Sequence, residues 1–309
     1  MRAVTNIATL LCALLLAGPS IARSHASPDL CRLTSVAALR ACRTGARSDG
    51  WLALGKCDNL PDAAARKACG RRAATDTRDA LKTCMDERGV RQAACKRLGP
   101  APYAPAIDPA NFAATIDNAF FPLTPGTTFV YEGQTSQGLE HDEFFVTHNT
   151  RMILGVTCIE VHDTVRTNGE LTEDTLDWFA QDRDGNVWYF GENTMELAGG
   201  LPTTLEGTFT GGVDGAQPGI VMEAHPAIGD FYRQEFDLGD AEDFAEVISL
   251  SEAVTVPAGS FIQCLETRET TPLEPDLLEN KFYAAGVGNL LTIDATTGER
   301  VELVQITTE

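Results

Sequence analysis

From about residue 118 to the C-terminus, apolar and polar side chains alternate with a period of two, the spacing of half-buried β-strands. The pattern predicts strands at Thr127–Glu132, Phe144–Thr147, Val156–Val165, Thr203–Thr210, Asp230–Asp237, Phe244–Val256, Phe261–Thr270, Leu278–Ala284, Asn289–Ile293 and Val301–Ile306. At its centre lies Glu170–Glu192, where two runs of β-formers flank Arg183-Asp184-Gly185-Asn186. An Asp-Gly step between apolar runs is a strong signal for a hairpin turn, and Asn168-Gly169 gives a second. Short strands with close turns and no interleaved helices predict a mainly β, antiparallel barrel or sandwich. Thr210–Gly229 carries little pattern and reads as a long loop folded over the barrel mouth.

Before residue 99 the pattern is different. Residues 29–98 are rich in Ala, Leu and Arg and hold a single aromatic, Trp51. Ser35–Leu39, Ala63–Arg72 (opened by Pro61-Asp62) and Thr77–Glu87 favour helix, which predicts three or four short helices in antiparallel hairpins. So few large apolar side chains bury little surface, and six cysteines must substitute for a core: Cys31, Cys42, Cys57, Cys69, Cys84 and Cys95. Their spacing is nearly palindromic, yet six cysteines allow fifteen pairings and the spacing alone does not choose. Between the two regions, Gly99–Pro109 carries four prolines and reads as a stiff linker.

Met1-Arg2 followed by the apolar run Ile7–Gly18 reads as a cleaved signal peptide, too short to span a bilayer. The domain plan is therefore a signal peptide at 1–26, a six-cysteine helical module at 27–98, a Pro-rich linker at 99–117 and a β-domain at 118–309. Periplasmic or secreted localisation follows, and an even number of cysteines after the signal agrees with an oxidising compartment. Cys158 and Cys264 are expected to bridge two strands whose polar faces, with Glu160, His162, Glu266 and Arg268, meet.

Charge divides the chain at the same place. Residues 29–98 hold 15 Lys+Arg against 8 Asp+Glu, and residues 99–309 hold 7 against 36. A basic module tied to a very acidic one points to mutual docking or to separate partners. The acidity argues against a nucleic-acid partner. The expected partner is a small molecule or an envelope component; no transmembrane segment is expected, and oligomeric state is not readable.

FPLTPGTTFVYEG, DWFAQDRDGNVWYFGE, VTVPAGSF and AAGVGNLL together resemble an uncharacterised family of secreted bacterial β-rich proteins, over roughly residues 105–305. PLTPGTTFVY with VPAGSF and GVG is more loosely similar to lipocalin- or LolA-like envelope half-barrels. The resemblance implies a periplasmic or secreted β-domain and supplies no catalytic residues.

Chemistry is sought where one polar group interrupts an apolar strand face. Glu246 shares a face with Phe244, Ile248, Leu250 and Val254; Gln234 lies between Tyr232 and Phe236; Asp177 shares a face with Leu171 and Phe179. Apolar walls with few convergent polar groups are the composition of a ligand pocket. The binding candidates are Gln234, Tyr232, Trp178 and Phe244, for an apolar or amphipathic ligand. The alternative is a hydrolase or lyase using Glu246, His225 and Asp177 in acid–base chemistry. No resident cofactor is expected, although Asp182, Asp184 and Asn186 at alternate positions could offer oxygen ligands to a divalent cation such as calcium. Their spacing departs from an EF-hand loop, and a turn explains the residues equally well. No GxSxG, HExxH, P-loop or GxGxxG-helix motif occurs.

Overall fold

The computed structural model describes residues 28–309, so the expected signal peptide and Cys12 lie outside the described residues. Two long helices come first, α1 (Leu30–Asp58) and α2 (Ala63–Leu98). Asp29 caps α1 through the Arg32 N–H, and Asp62 caps α2 through the Ala65 N–H. The three or four short helices expected are thus one hairpin. Disulfides Cys31–Cys95, Cys42–Cys84 and Cys57–Cys69 nest inside one another, which is what a palindromic spacing gives when two helices run antiparallel. Held side by side, the helices run straight through glycines that would weaken an isolated helix by about 1 kcal/mol each. Gly50 is required: a Cβ there would meet Thr77 Oγ1 at 2.3 Å, so the helices cross at its backbone.

The remainder is one antiparallel sheet of 15 strands that curls into a nearly closed barrel. β1 (Thr127–Gln134), β2 (Leu139–Ile153), β3 (Val156–Thr167), β4 (Glu170–Gln181) and β5 (Val187–Ala198) form a meander. Asn168 and Gly169, both at positive φ, turn β3 into β4. The Asp182–Asn186 turn joins β4 to β5, its Asp182 carboxylate accepting from the Asn186 backbone, the Asn186 amide and the Trp188 indole. These bonds occupy Asp182 in holding the turn.

Three short strands follow, β6 (Leu201–Thr204), β7 (Phe209–Thr210) and β8 (Gln217–Met222), all paired to β5. The segment expected as a long loop is therefore partly strand: Gln217–Met222 pairs within the wall. Short β9 (Phe231–Arg233) and β10 (Glu235–Phe236) precede the second meander. That meander is β11 (Phe244–Val256), β12 (Gly259–Thr270), β13 (Glu279–Ala284), β14 (Gly288–Asp294) and β15 (Arg300–Thr308). β15 pairs with β1 and joins the two meanders. At the remaining seam β9 pairs with β11 while β10 pairs with β8, so the chain changes partner at Gln234. A Cβ at Gly219 would lie 2.4 Å from the Gln234 carbonyl, so only glycine lets the backbones approach this closely.

The barrel wall has two apolar faces. Inward residues, including Phe129, Val146, Val161, Phe179, Val247, Leu265, Leu290 and Leu303, form the main core. Outside, Ile153, Val156, Cys158, Trp178, Ala180 and Phe190 form a second cluster, sealed by Ile107 and Phe112 from the segment after α2. This arrangement overturns the expected Cys158–Cys264 bridge. Five strands separate β3 from β12 in the sheet, and both thiols are free and buried, Cys158 in the outer cluster and Cys264 in the main core.

The helical hairpin docks on the outer face beside the seam. Arg91 of α2 pairs with Glu242 at 2.7 Å, with both side chains almost wholly buried, and also with Glu87. Arg97 pairs with Glu246 at 2.7 Å and lies over the Phe231 ring, which stacks on Phe244. Two arginines of the basic module thus meet carboxylates of the acidic barrel.

Candidate functional site

Inside the barrel lies a cavity of about 280 Å³. One part of its wall is apolar: Phe121, Leu123, Phe129, Phe144, Phe179 and Val221. Another part is polar, with Tyr131, Asp142, Asp163, Asp177, Tyr189, Gln234, Glu269, Lys281, Tyr283 and Asn289.

Strand register explains how the carboxylates converge. Phe144 faces Asp163 across β2 and β3, and Val161 faces Asp177 across β3 and β4. Asp142, Asp163 and Asp177 therefore descend the inner wall diagonally, two residues per strand, and Glu192 stands opposite Asp177 on β5. The Tyr189 hydroxyl donates to Asp177, and its ring stacks on Phe179 at 4.7 Å.

Burial dominates the electrostatics. It pushes Asp142 up to about 7 and Asp163 well above the carboxylate range, each reinforced by neighbouring carboxylates. The two stand diagonally across β2 and β3, and the charge of Asp142 adds to the lift on Asp163. Asp177 is raised well above its usual value by burial and by Asp163, against the Tyr189 bond that favours its ionised form. Burial alone would lower the Lys281 ammonium, but Glu269, Glu279 and Tyr283 outweigh it and hold the group firmly protonated. Lys281 bonds Glu269 at 2.9 Å and approaches Glu279 at 3.4 Å, while the Tyr283 hydroxyl also donates to Glu269.

A second depression, about 500 Å³, adjoins the first and holds Glu192, Glu235 and Asp243. Burial raises Glu192 to about 9 and Asp243 to about 6, and lifts Glu235 well above the usual range.

Of the residues singled out from sequence, Asp177 and Gln234 line the cavity. Tyr232 packs in the main core beside them, its hydroxyl without a hydrogen-bond partner among the described residues. Four others lie elsewhere. Trp178 faces outward, beneath Arg151 and bonded to Glu160. Phe244 and Glu246 face outward too, toward α2. Register breaks in β11 after Val247 and around Glu252 reverse its faces, so Val254 and Val256 are inside while Phe244 and Glu246 are not. His225 is exposed on the segment before Pro226. The structure does not bring Glu246, His225 and Asp177 together.

Asp142, Asp163, Glu269, Lys281 and Tyr189 were not singled out from sequence, though signals for them exist. Asp163 interrupts the face of Val161 and Val165, and Asp142 precedes Phe144 and Val146 on theirs. Lys281 is the only lysine after residue 98, set in a period-two strand.

No protein-family model matches the chain, and no curated protein does either. The family resemblance drawn from motifs therefore has no matching family behind it. Among solved structures, a crystal structure described as a "putative lipoprotein" from Parabacteroides distasonis overlays 62% of this chain and 99% of its own, at 14% identity and a TM-score of 0.36. A score that low carries no functional weight.

Proposed function

We propose that this is an exported binding protein, periplasmic or secreted, that holds a small amphipathic molecule inside its β-barrel. The observation that carries the reading is the cavity itself. An aromatic wall faces convergent polar groups, and Asp142 Oδ1, Asp163 Oδ1 and Asn289 Oδ1 among them are buried with no hydrogen-bond partner among the described residues. A buried polar group is normally paired, so unpaired acceptors on a cavity wall are suited to a ligand. Barrels widen as strands are added, and one this large encloses more space than its own side chains fill. Three disulfides suit an oxidising compartment, and no helix among the described residues is long and apolar enough to cross a membrane.

Native mass spectrometry of protein isolated from its own compartment tests this. A bound mass is expected, and it should vanish in Val221→Trp, which fills the apolar end of the cavity. Retention of the same mass by that variant would place the ligand elsewhere.

A further inference from the structure

We infer that the molecule held in the barrel is an organic cation, a protonated amine carried on an aromatic or aliphatic body. This rests on the cavity being the binding site and adds the chemical class of its occupant.

The donors and acceptors facing the cavity are unequal. Asp142 Oδ1, Asp163 Oδ1 and Asn289 Oδ1 are all buried and all without a donor among the described residues. All three are acceptors. An N–H from a ligand would supply the donor that Asp142 and Asp163 lack. The one basic group on the wall, Lys281, is already committed to Glu269 and Glu279. It is therefore a poor receptor for an anion. Arg233 points away from the cavity, its guanidinium over the rings of Tyr103, Phe236 and Phe244.

Independent of the carboxylates, Gln234, 6% exposed, lines the same space and its amide oxygen can accept from a ligand. The rings of Phe121, Phe144, Phe179 and Tyr189 also face it. Aromatic faces attract cations and also receive an apolar body. The adjoining depression adds direction. Eight carboxylates and no lysine or arginine line it. Among them Glu235 is 7% exposed. A cleft of one sign focuses the field and raises the local concentration of the opposite charge. No three carboxylates here converge closely enough to cage a metal ion among the described residues, so the excess charge is spread as an extended organic cation requires.

Isothermal titration of the folded, oxidised protein with phenethylamine, phenethyl alcohol and phenylacetate separates the classes, because the three share a ring and differ in the head group. The amine is expected to bind at least about ten-fold tighter than the alcohol, as hydrogen bonds to charged groups require, and phenylacetate weakest. In the double variant Asp142→Asn/Asp163→Asn the amine should lose that advantage to within about two-fold. Its melting temperature should not fall, since shape is kept and like charges are removed. Tighter binding of alcohol or phenylacetate would overturn the cation inference and leave the cavity reading intact. An unchanged amine preference in the double variant would overturn it as well. If none of the three binds and Val221→Trp retains the bound mass, the cavity reading falls and takes this inference with it.

Discussion

The helical hairpin and the barrel solve the same problem by opposite means. In the hairpin the buried residues are largely cysteine and alanine, with Leu39 the bulkiest apolar side chain among them. In the barrel they include Phe190, Phe244, Met222, Leu265, Leu290 and Leu303, all almost wholly enclosed. The hairpin therefore depends on covalent constraint, which limits its unfolded ensemble, and the barrel on removing apolar area from water. The difference teaches where function can sit. A structure with a large apolar surplus tolerates buried carboxylates that lack counter-charges; one held by three staples and little else does not. Groups that violate the rules of burial without evident compensation are expected at functional sites, and here they collect in the barrel.

The largest effect should come from reduction. Each bridge is expected to contribute about 2–4 kcal/mol. Reducing all three should melt the helical signal in far-ultraviolet circular dichroism while the β signal persists. Simultaneous loss of both would mean that the barrel leans on the hairpin, erasing the contrast. Next is the buried pair between them. Arg91→Met alone leaves Glu242 buried without its partner and should cost about 3–5 kcal/mol in denaturant unfolding, whereas Arg91→Met/Glu242→Leu should recover most of that.

Third is pH. The raised groups are Asp243 at about 6, Asp142 at about 7 and Glu192 at about 9. All lie above the roughly 4 expected of an unfolded carboxylate. The folded barrel then binds protons that the unfolded chain releases, so stability is highest near the unfolded value and falls as pH rises through the folded ones. The melting temperature should drop steadily from pH 5 to 9 (values set by these windows), and Asp142→Asn/Asp163→Asn should flatten the slope. A rising curve would mean that paired carboxylates, not the unpaired ones, govern the barrel.

Asp182→Ala, which removes three bonds at the central turn, should cost about 1–3 kcal/mol by thermal unfolding. Smallest of all is the response of Cys158 and Cys264, the free cysteines among the described residues. Burial pushes Cys158 up to about 12 and raises Cys264, so a thiol reagent should reach neither in the native protein and both after unfolding. Finding none after unfolding would restore the bridge that the strand order excludes.

Much of the fold was legible. The Asn168-Gly169 turn, the Asp-Gly hairpin and strand β11 to its exact ends all follow from local rules, because period-two burial and turn chemistry are written within a few residues. The hairpin of helices was harder. Its helix-favouring stretches read as three or four short helices, and only the neighbour across the disulfides makes Gly50 an asset. The site was half legible. Asp177 shares its face with Phe179, and Gln234 stands where the chain changes partner but stays inward beside Tyr232, whereas Glu246 stands on a face that does not keep its parity. Each break in β11 flips every later side chain, and nothing in the residues 244–256 announces where the breaks fall.

By itself, then, the sequence determined the classes of structure, the division at the Pro-rich stretch, the opposite charges of the two parts and the demand for disulfides in the first. Each of these depends on composition or on neighbours along the chain. Tertiary structure alone decided which cysteines pair, which way each strand faces after a bulge, and that Asp142, Asp163 and Asp177 line one cavity while the only lysine near them is already bound. Those outcomes depend on barrel register and closure, which bring together residues more than a hundred positions apart.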